Sequence, residues 1–286
     1  MSADAARAAR DGGPAPWGVS GLDRMRTVAG SRWRRRAGRL LDLLFPTRCV
    51  SCGDFGALLC AECRCWLQPL GAEYCPRCGR PGAAVSKGGW CADCVDRDLH
   101  FVSARSAFLY TDVARRVIAA LKYGGERGLA EIMAQEALPA FREVVAEVPS
   151  PVVTWVPSHA STRSARGFNQ AQLFARALVA GSGRQLNAWE LVRKTRATPR
   201  QQTLSREERS RNLARSFAPV RLPARGVPVS PWGAAEDVGG IVVVDDVYTT
   251  GATASEVAGV AAENWGVPVH VFTFARAMHQ VSDLRD

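Results

Sequence analysis

The sharpest hydrophobic pattern in the chain lies in residues 239–255, GGIVVVDDVYTTGATAS. Residues 241–244 are four β-branched apolar side chains with no polar alternation, which predicts a strand buried on both faces, as in a parallel sheet. Acid closes the run at Asp245 and Asp246. Residues 254–263 have helix-forming composition, so the stretch between reads as a tight strand-to-helix turn. Upstream the same grammar repeats. Residues 103–110 read as a strand, and DVARRVIAALKY from Asp112 as a helix with Val113, Val117, Ile118 and Leu121 on one face. Residues 127–148 are mostly helical, 151–156 form a short apolar strand stopped by Pro157, and SHASTRSARGFNQAQLFARALV is a loop running into a helix. Residues 267–274 make another buried strand. Strands alternating with helices predict an α/β fold, a mostly parallel sheet flanked by helices, with its site outside the carboxyl ends of the strands. The 245–253 and 158–169 loops both start at such ends, so they are expected to meet.

Before residue 101 the pattern is different. Residues 1–31 lack apolar periodicity and read as a disordered basic leader; residues 32–48 read as an amphipathic basic helix, either packing Leu40, Leu41, Leu44 and Phe45 onto the next module or contacting nucleic acid or a membrane surface. Residues 49–98 hold four CxxC turns: Cys49 with Cys52, Cys60 with Cys63, Cys75 with Cys78, and Cys91 with Cys94. One CxxC turn offers two thiolates to one tetrahedral ion, so eight ligands suit two structural zinc ions. Pairing first with second and third with fourth gives a double zinc ribbon and is favoured by loops that close locally; a cross-brace of first with third is the alternative. Four consecutive copies argue against redox chemistry. Cys65 is left over and is expected to be a small packed residue. Metal binding through thiolates couples to folding, so chelation is expected to unfold this module and leave the α/β domain intact.

Charge changes the picture in two places. The formal net charge is +10, and it is concentrated: residues 1–48 hold ten Arg against four Asp, and residues 193–215 hold eight basic residues against two Glu. Two basic patches on a near-neutral body point to phosphate, nucleic acid or an anionic surface. Residues 193–211 read as a mobile basic loop, 222–238 as an insertion and 278–286 as a tail within or after an α/β domain at 101–277. No apolar run approaches the roughly 18 residues of a membrane span, and no apolar signal-peptide core is present. A cytoplasmic protein is expected, in keeping with metal-bound rather than disulfide-bonded cysteines.

The turn after the central strand carries the chemistry. Backbone amides and the positive end of a helix converge there, threonine hydroxyls add donors, and Gly251 permits close backbone approach, a design suited to a phosphate. Two carboxylates would repel that phosphate, so Asp245 and Asp246 must face sugar hydroxyls or a divalent cation. No GxxxxGK[ST] accompanies them. The stretch resembles the phosphoribosyl diphosphate (PRPP) motif of type I phosphoribosyltransferases, DDxxTTGAT, position for position from Asp245 to Thr253. That resemblance implies PRPP binding at Asp245, Asp246, Thr249, Thr250, Gly251, Ala252 and Thr253, with Mg²⁺ accompanying PRPP.

Taken with LKYxG at 121–125, RGFNQA at 166–171 and TxxQxxLSRxxRxxN at 198–212, the chain resembles the ComF family, which includes the GntX-type proteins: a four-CxxC double zinc ribbon followed by a phosphoribosyltransferase-like domain. The likeness implies a link to DNA uptake during natural transformation. Arg163 and Arg166 suit bidentate contact with the leaving pyrophosphate, beside Gly167 and Asn169 as further PRPP contacts. Lys194 joins them as a catalytic residue on the basic loop, which closes over the site as a lid. Two readings stay open. One is a phosphoribosyltransferase with Mg-PRPP as donor; the other is a non-catalytic protein that binds single-stranded DNA or the DNA-uptake machinery and uses the PRPP pocket for sensing or stability.

Overall fold

A computed structural model of the chain describes residues 46–82, 89–196, 216–220 and 238–278. The leader, nearly all of the 32–48 helix, residues 197–211 of the basic loop, 222–237 of the insertion and 279–286 of the tail lie outside the described residues.

Two single-turn helices, α1 (Ala61–Cys65) and α2 (Ala92–Val95), belong to the cysteine-rich segment. After them come β1 (Ser103–Leu109), α3 (Asp112–Tyr123), α4 (Leu129–Glu147), β2 (Pro151–Trp155), α5 (Ala160–Arg166) and α6 (Gln170–Gly181). The chain continues through β3 (Val192–Lys194), β4 (Phe217–Pro219), β5 (Gly240–Tyr248), α7 (Ala252–Trp265) and β6 (Val269–Arg276). Strands β1, β6, β5 and β2, in that order, form a sheet in which every pair is parallel. The expected α/β architecture is the one observed.

Burial of β5 on both faces explains its unbroken apolar run. Val242 and Val244 share a core with Phe272, Phe274, Phe141 of α4 and Phe174 of α6. The rings interlock: Phe141 lies 5.3 Å from Phe272 and Phe174 lies 6.0 Å from Phe274. On the other face Ile241 and Val243 join Val257, Ala258 and Ala261 of α7, with Leu191, Val192 and Phe217 of the β3–β4 pair.

Several local expectations change. β5 does not end at the acids: its ladder with β6 runs on to the pair Tyr248 and Arg276, so Asp245 and Asp246 are strand residues. Helix α7 begins at Ala252, directly after Gly251. A short helix, α5, replaces part of the expected 158–169 loop; His159 caps it, its Nδ1 accepting from Ser161 N at 3.2 Å. Arg193 and Lys194 belong to an antiparallel pair with Ala218 and Phe217 rather than to a mobile loop.

The cysteine-rich segment is built into this unit. Residues 68–70 run along the outer strand β1, with Leu70 N donating to Ala107 O at 3.0 Å and Leu109 N to Gln68 O at 2.8 Å. They cover a sheet edge whose polar groups would otherwise be open to another chain. On one side of that edge Cys49, Leu59, Cys63 and Leu67 share the core of Leu121, Leu129 and Met133, and Arg64 meets Glu136 at 2.9 Å. On the other side Cys75, Cys78, Cys91 and Cys94 share the core of α7. Ala104 N bonds Arg77 O at 2.8 Å. The approach is close enough that a Cβ on Gly79, at φ +72°, would lie 2.3 Å from Ala104 O. Among the described residues no helix is long and apolar enough to cross a membrane.

Candidate functional site

The cysteines gather into two groups, Cys49, Cys52, Cys60 and Cys63, and Cys75, Cys78, Cys91 and Cys94; within each, all ligand atoms lie within 4.8 Å of one another. Pairing is therefore sequential, and the cross-brace is not formed. Four sulfurs at about 2.3 Å from a tetrahedral zinc ion stand about 3.8 Å apart. The Sγ–Sγ distances from Cys52 to Cys60 and from Cys78 to Cys91 are both 3.7 Å. Backbone amides support the thiolates, Cys63 N donating to Cys60 Sγ at 3.4 Å and Cys91 N to Cys75 Sγ at 3.3 Å. Burial opposes ionisation of Cys75, yet amides of Cys78, Cys91 and Arg77 bring it down to about 7. Cys91 is pushed up to about 11 by burial and by the Cys75 sulfur. Thiols packed this tightly ionise together only around a cation, so the donor sets fit structural Zn²⁺. Cys65 is exposed rather than packed.

At the carboxyl end of β5 the two acids divide between neighbours. Asp246 is 3% exposed, and its Oδ2 lies 2.6 Å from Lys122 Nζ at the end of α3. Burial opposes the charge on Lys122, but Asp246 and then Asp245 outweigh it and hold the ammonium above its usual pKa. Asp245 accepts a bond from Asp246 N at 2.9 Å. Burial and then the neighbouring Asp246 push its carboxyl up to about 8, with Lys122 offsetting only part. Burial also holds Lys194 below its usual pKa while Asp245 pulls the other way, which places Lys194 within the electrostatic reach of that acid. A lone lysine at a helix end normally reads as a partner of the helix dipole. LKYxG was the only signal in the sequence that marked Lys122.

The turn beyond the acids is tightly specified. Gly251 caps α7 in the left-handed conformation, φ +79°. A Cβ there would stand 2.2 Å from Tyr248 Oη, so no side chain fits. Thr250 is buried, its Oγ1 accepting from Ala252 N at 3.4 Å; Thr249 is exposed, Thr253 half-buried and Ala252 buried. Ser255 N bonds Gly251 O at 2.8 Å and starts the helix. Chemically, this is the positive end of a long helix beside an acidic pair, Asp246 buried and Asp245 half-buried.

The arginine loop lies alongside, since Val156 N donates to Val244 O at 2.9 Å. Gly167 turns the chain at φ +80° and its carbonyl accepts from Arg127 Nη2 at 3.3 Å. Asn169 is buried and its polar atoms are committed: Nδ2 donates to Val156 O at 3.0 Å, and Oδ1 accepts from Ala171 N and Gln172 N. Where a ligand contact was expected, the side chain caps α6 and ties the loop to β2. Arg166 donates to Gln170 and lies 5.5 Å from the Tyr123 ring, next to Lys122. Arg163 is exposed, 3.8 Å from Glu190.

Residues 40–95 match the model of the double zinc ribbon domain. The chain is 30% identical over 212 residues to the DNA utilization protein YhgH of Salmonella typhimurium, covering 72% of this chain and 85% of that one. The YhgH of Escherichia coli is 29% identical over 208 residues, with 71% and 84% covered. Competence protein ComFC of Bacillus subtilis is 26% identical over 201 residues, with 68% and 74% covered.

Because both cysteine clusters share cores with the α/β elements, zinc removal should not unfold the ribbons alone. Chelation of both ions is expected to lower one common melting transition by roughly 10 °C or more. A ribbon transition separate from an unshifted main one in calorimetry would contradict this. The acid at 245 gives a pH signature. Its pKa is about 8 in the folded chain against an ordinary 3.8, so the folded state is favoured below pH 4 and loses that advantage as pH rises through 8. With Asp246, Lys122 and Lys194 facing it, Asp245→Asn should match wild type near pH 4 and melt a few °C higher at pH 8.5. Equal melting curves at pH 8.5 would show that Asp245 carries no such penalty.

Proposed function

The chain belongs to the ComF family, and on that premise we propose that residues 245–253 bind Mg-PRPP and that the protein handles DNA taken up by the cell. The observation that carries the first part is the junction of β5 and α7. Gly251 at φ +79° caps a 14-residue helix five residues after an acidic pair, one member of which is matched by Lys122 at 2.6 Å. In this reading the 5-phosphate takes the turn amides and the hydroxyls of Thr249, Thr250 and Thr253. The ribose hydroxyls fall to Asp245 and Asp246. Lys122 pairs with Asp246 at 2.6 Å and fixes it, which leaves Asp245 as the acid open to the ligand. Arg163 and Arg166 stand on the pyrophosphate side, and Lys194 approaches from the β3 side, where Asp245 draws it.

The reaction this supports is departure of pyrophosphate from the anomeric carbon through an oxocarbenium-like state, with attack by a nitrogen nucleophile. Mg²⁺ bound with PRPP would withdraw charge from the leaving group. The protein's own contribution is electrostatic and positional: guanidinium groups on the departing oxygens, a rigid phosphate anchor, and a half-buried acid against the sugar.

A second, non-catalytic reading has its own observation. The ribbon surface displays aromatic rings beside arginines: Phe55, 59% exposed, lies 3.9 Å from Arg48, and Trp90, 41% exposed, lies 4.2 Å from Arg77. Trp66 is 69% exposed. Rings and guanidinium groups of this kind stack on the bases of single-stranded DNA without sequence preference. The competence and DNA-utilization names of the relatives agree with such a partner.

Calorimetric titration tests the pocket. Wild type is expected to bind PRPP with Mg²⁺, and Asp245→Asn with Asp246→Asn should raise Kd roughly tenfold or more; a double variant that titrates like wild type would disprove the site. For DNA, a Phe55→Ala, Trp66→Ala, Trp90→Ala variant should bind oligo(dT) roughly tenfold more weakly. Wild-type affinity should fall by about 0.7 log units per log unit of salt for each phosphate neutralised. Unchanged affinity in the triple variant would exclude the ribbon face as the DNA surface.

A further inference from the structure

The second ribbon is wired to the turn at 249–253 by residues that no motif singled out. Arg97 follows the ligand Cys94 by three residues, its N–H on Cys94 O at 3.4 Å, so closure of that cluster sets where Arg97 begins. Its guanidinium reaches out of the ribbon and donates to Thr250 O. A second link runs from the sheet back to the ribbon. Buried Arg276, at the end of β6, donates to Cys78 O and contacts Cys78 Sγ at 3.5 Å. The same guanidinium lies 4.5 Å from the Tyr248 ring, whose hydroxyl fills the space behind Gly251. Three residues after Arg97, His100 N donates to Ser255 Oγ at 3.0 Å, in the first turn of α7.

The carbonyl of Thr250 and the N–H of Gly251 belong to one planar, trans peptide group, so they point in opposite directions. By drawing the carbonyl toward the ribbon, Arg97 turns the Gly251 N–H away from it. Among the described residues nothing accepts that N–H. Its direction is thus set from behind, by a residue of another module, before any ligand arrives.

We propose that Arg97 is a positioning residue that clamps the turn in its anion-receiving shape, and that the second cysteine cluster governs phosphate affinity through it. The inference rests on the PRPP reading for the identity of the anion. A turn held open in advance spares the ligand the cost of ordering it. Among the described residues the first cluster shows no such connection: its contacts run to α3 and α4 through Arg116, which donates to Ser51 O, and through Arg64 and Glu136.

The test uses the full zinc-loaded chain as wild type, Arg97→Ala and Arg97→Lys. Zinc content is measured first. Binding of PRPP and of ribose 5-phosphate, which lacks the pyrophosphate, is titrated, and amide hydrogen exchange is followed across residues 249–255. Arg97→Ala is expected to keep both zinc ions, to raise both Kd values roughly tenfold, and to exchange faster in the turn; Arg97→Lys, which retains a donor, should recover part of each. Binding and exchange equal to wild type would overturn the proposal, as would loss of zinc in both variants, which would make Arg97 part of ribbon folding instead. If wild type binds neither ligand, the PRPP reading fails and exchange alone decides the clamp: faster exchange in Arg97→Ala upholds it and unchanged exchange ends it.

Discussion

Burying β5 on both faces is the constraint from which the rest follows. A strand with helices on one side and α7 with the β3–β4 pair on the other has no solvent face, so polar groups can appear only at its end. There the ladder with β6 continues past Val244 and carries Asp245 and Asp246 into the sheet. Two adjacent carboxylates in such a place cannot both be charged without help. Lys122 answers one of them, which is why α3 must end beside β5, and Asp245 is left with a raised pKa.

The same logic accounts for the cysteine-rich segment. An open parallel sheet leaves its outer strand unpaired, and β1 is covered by residues 68–70, the link between the two clusters. Holding that link places one cluster on each side of the sheet edge, where each adds its sulfurs and leucines to a core begun by the α/β elements. Zinc ribbons are too small to bury much on their own; here they close on metal and on the sheet together. The ribbons and the larger domain share hydrophobic cores, and the ribbon nearer α7 acquires direct contact with the turn at 249–253 and the start of α7.

Roles also divide between residues that face the site and residues that hold it. Asn169 sits in a stretch that reads as ligand-binding, yet its amide is spent on Val156 and on the cap of α6. Gly251 is required by Tyr248, whose ring leaves no room for a Cβ. Such groups shape the pocket through what they pack against.

Local pattern was enough to indicate the parallel α/β sheet, the helix from Asp112 and a strand-to-helix turn after the central strand, and it favoured sequential pairing of the CxxC turns over a cross-brace without deciding between them. Each depends on neighbours a few residues apart: β-branched runs, helical spacing, short loops between thiolates. Tertiary structure alone decided the rest. The extension of β5 to Tyr248 needs β6 beside it, and the β3–β4 pair joins segments separated by a long intervening stretch. Lys122 acquires its meaning only when α3 ends against Asp246, and Arg97 only when a ribbon folds back onto a turn 153 residues away. Charge and hydrogen-bond partners act over a few ångströms of space, and no spacing along the chain encodes which distant groups will share it.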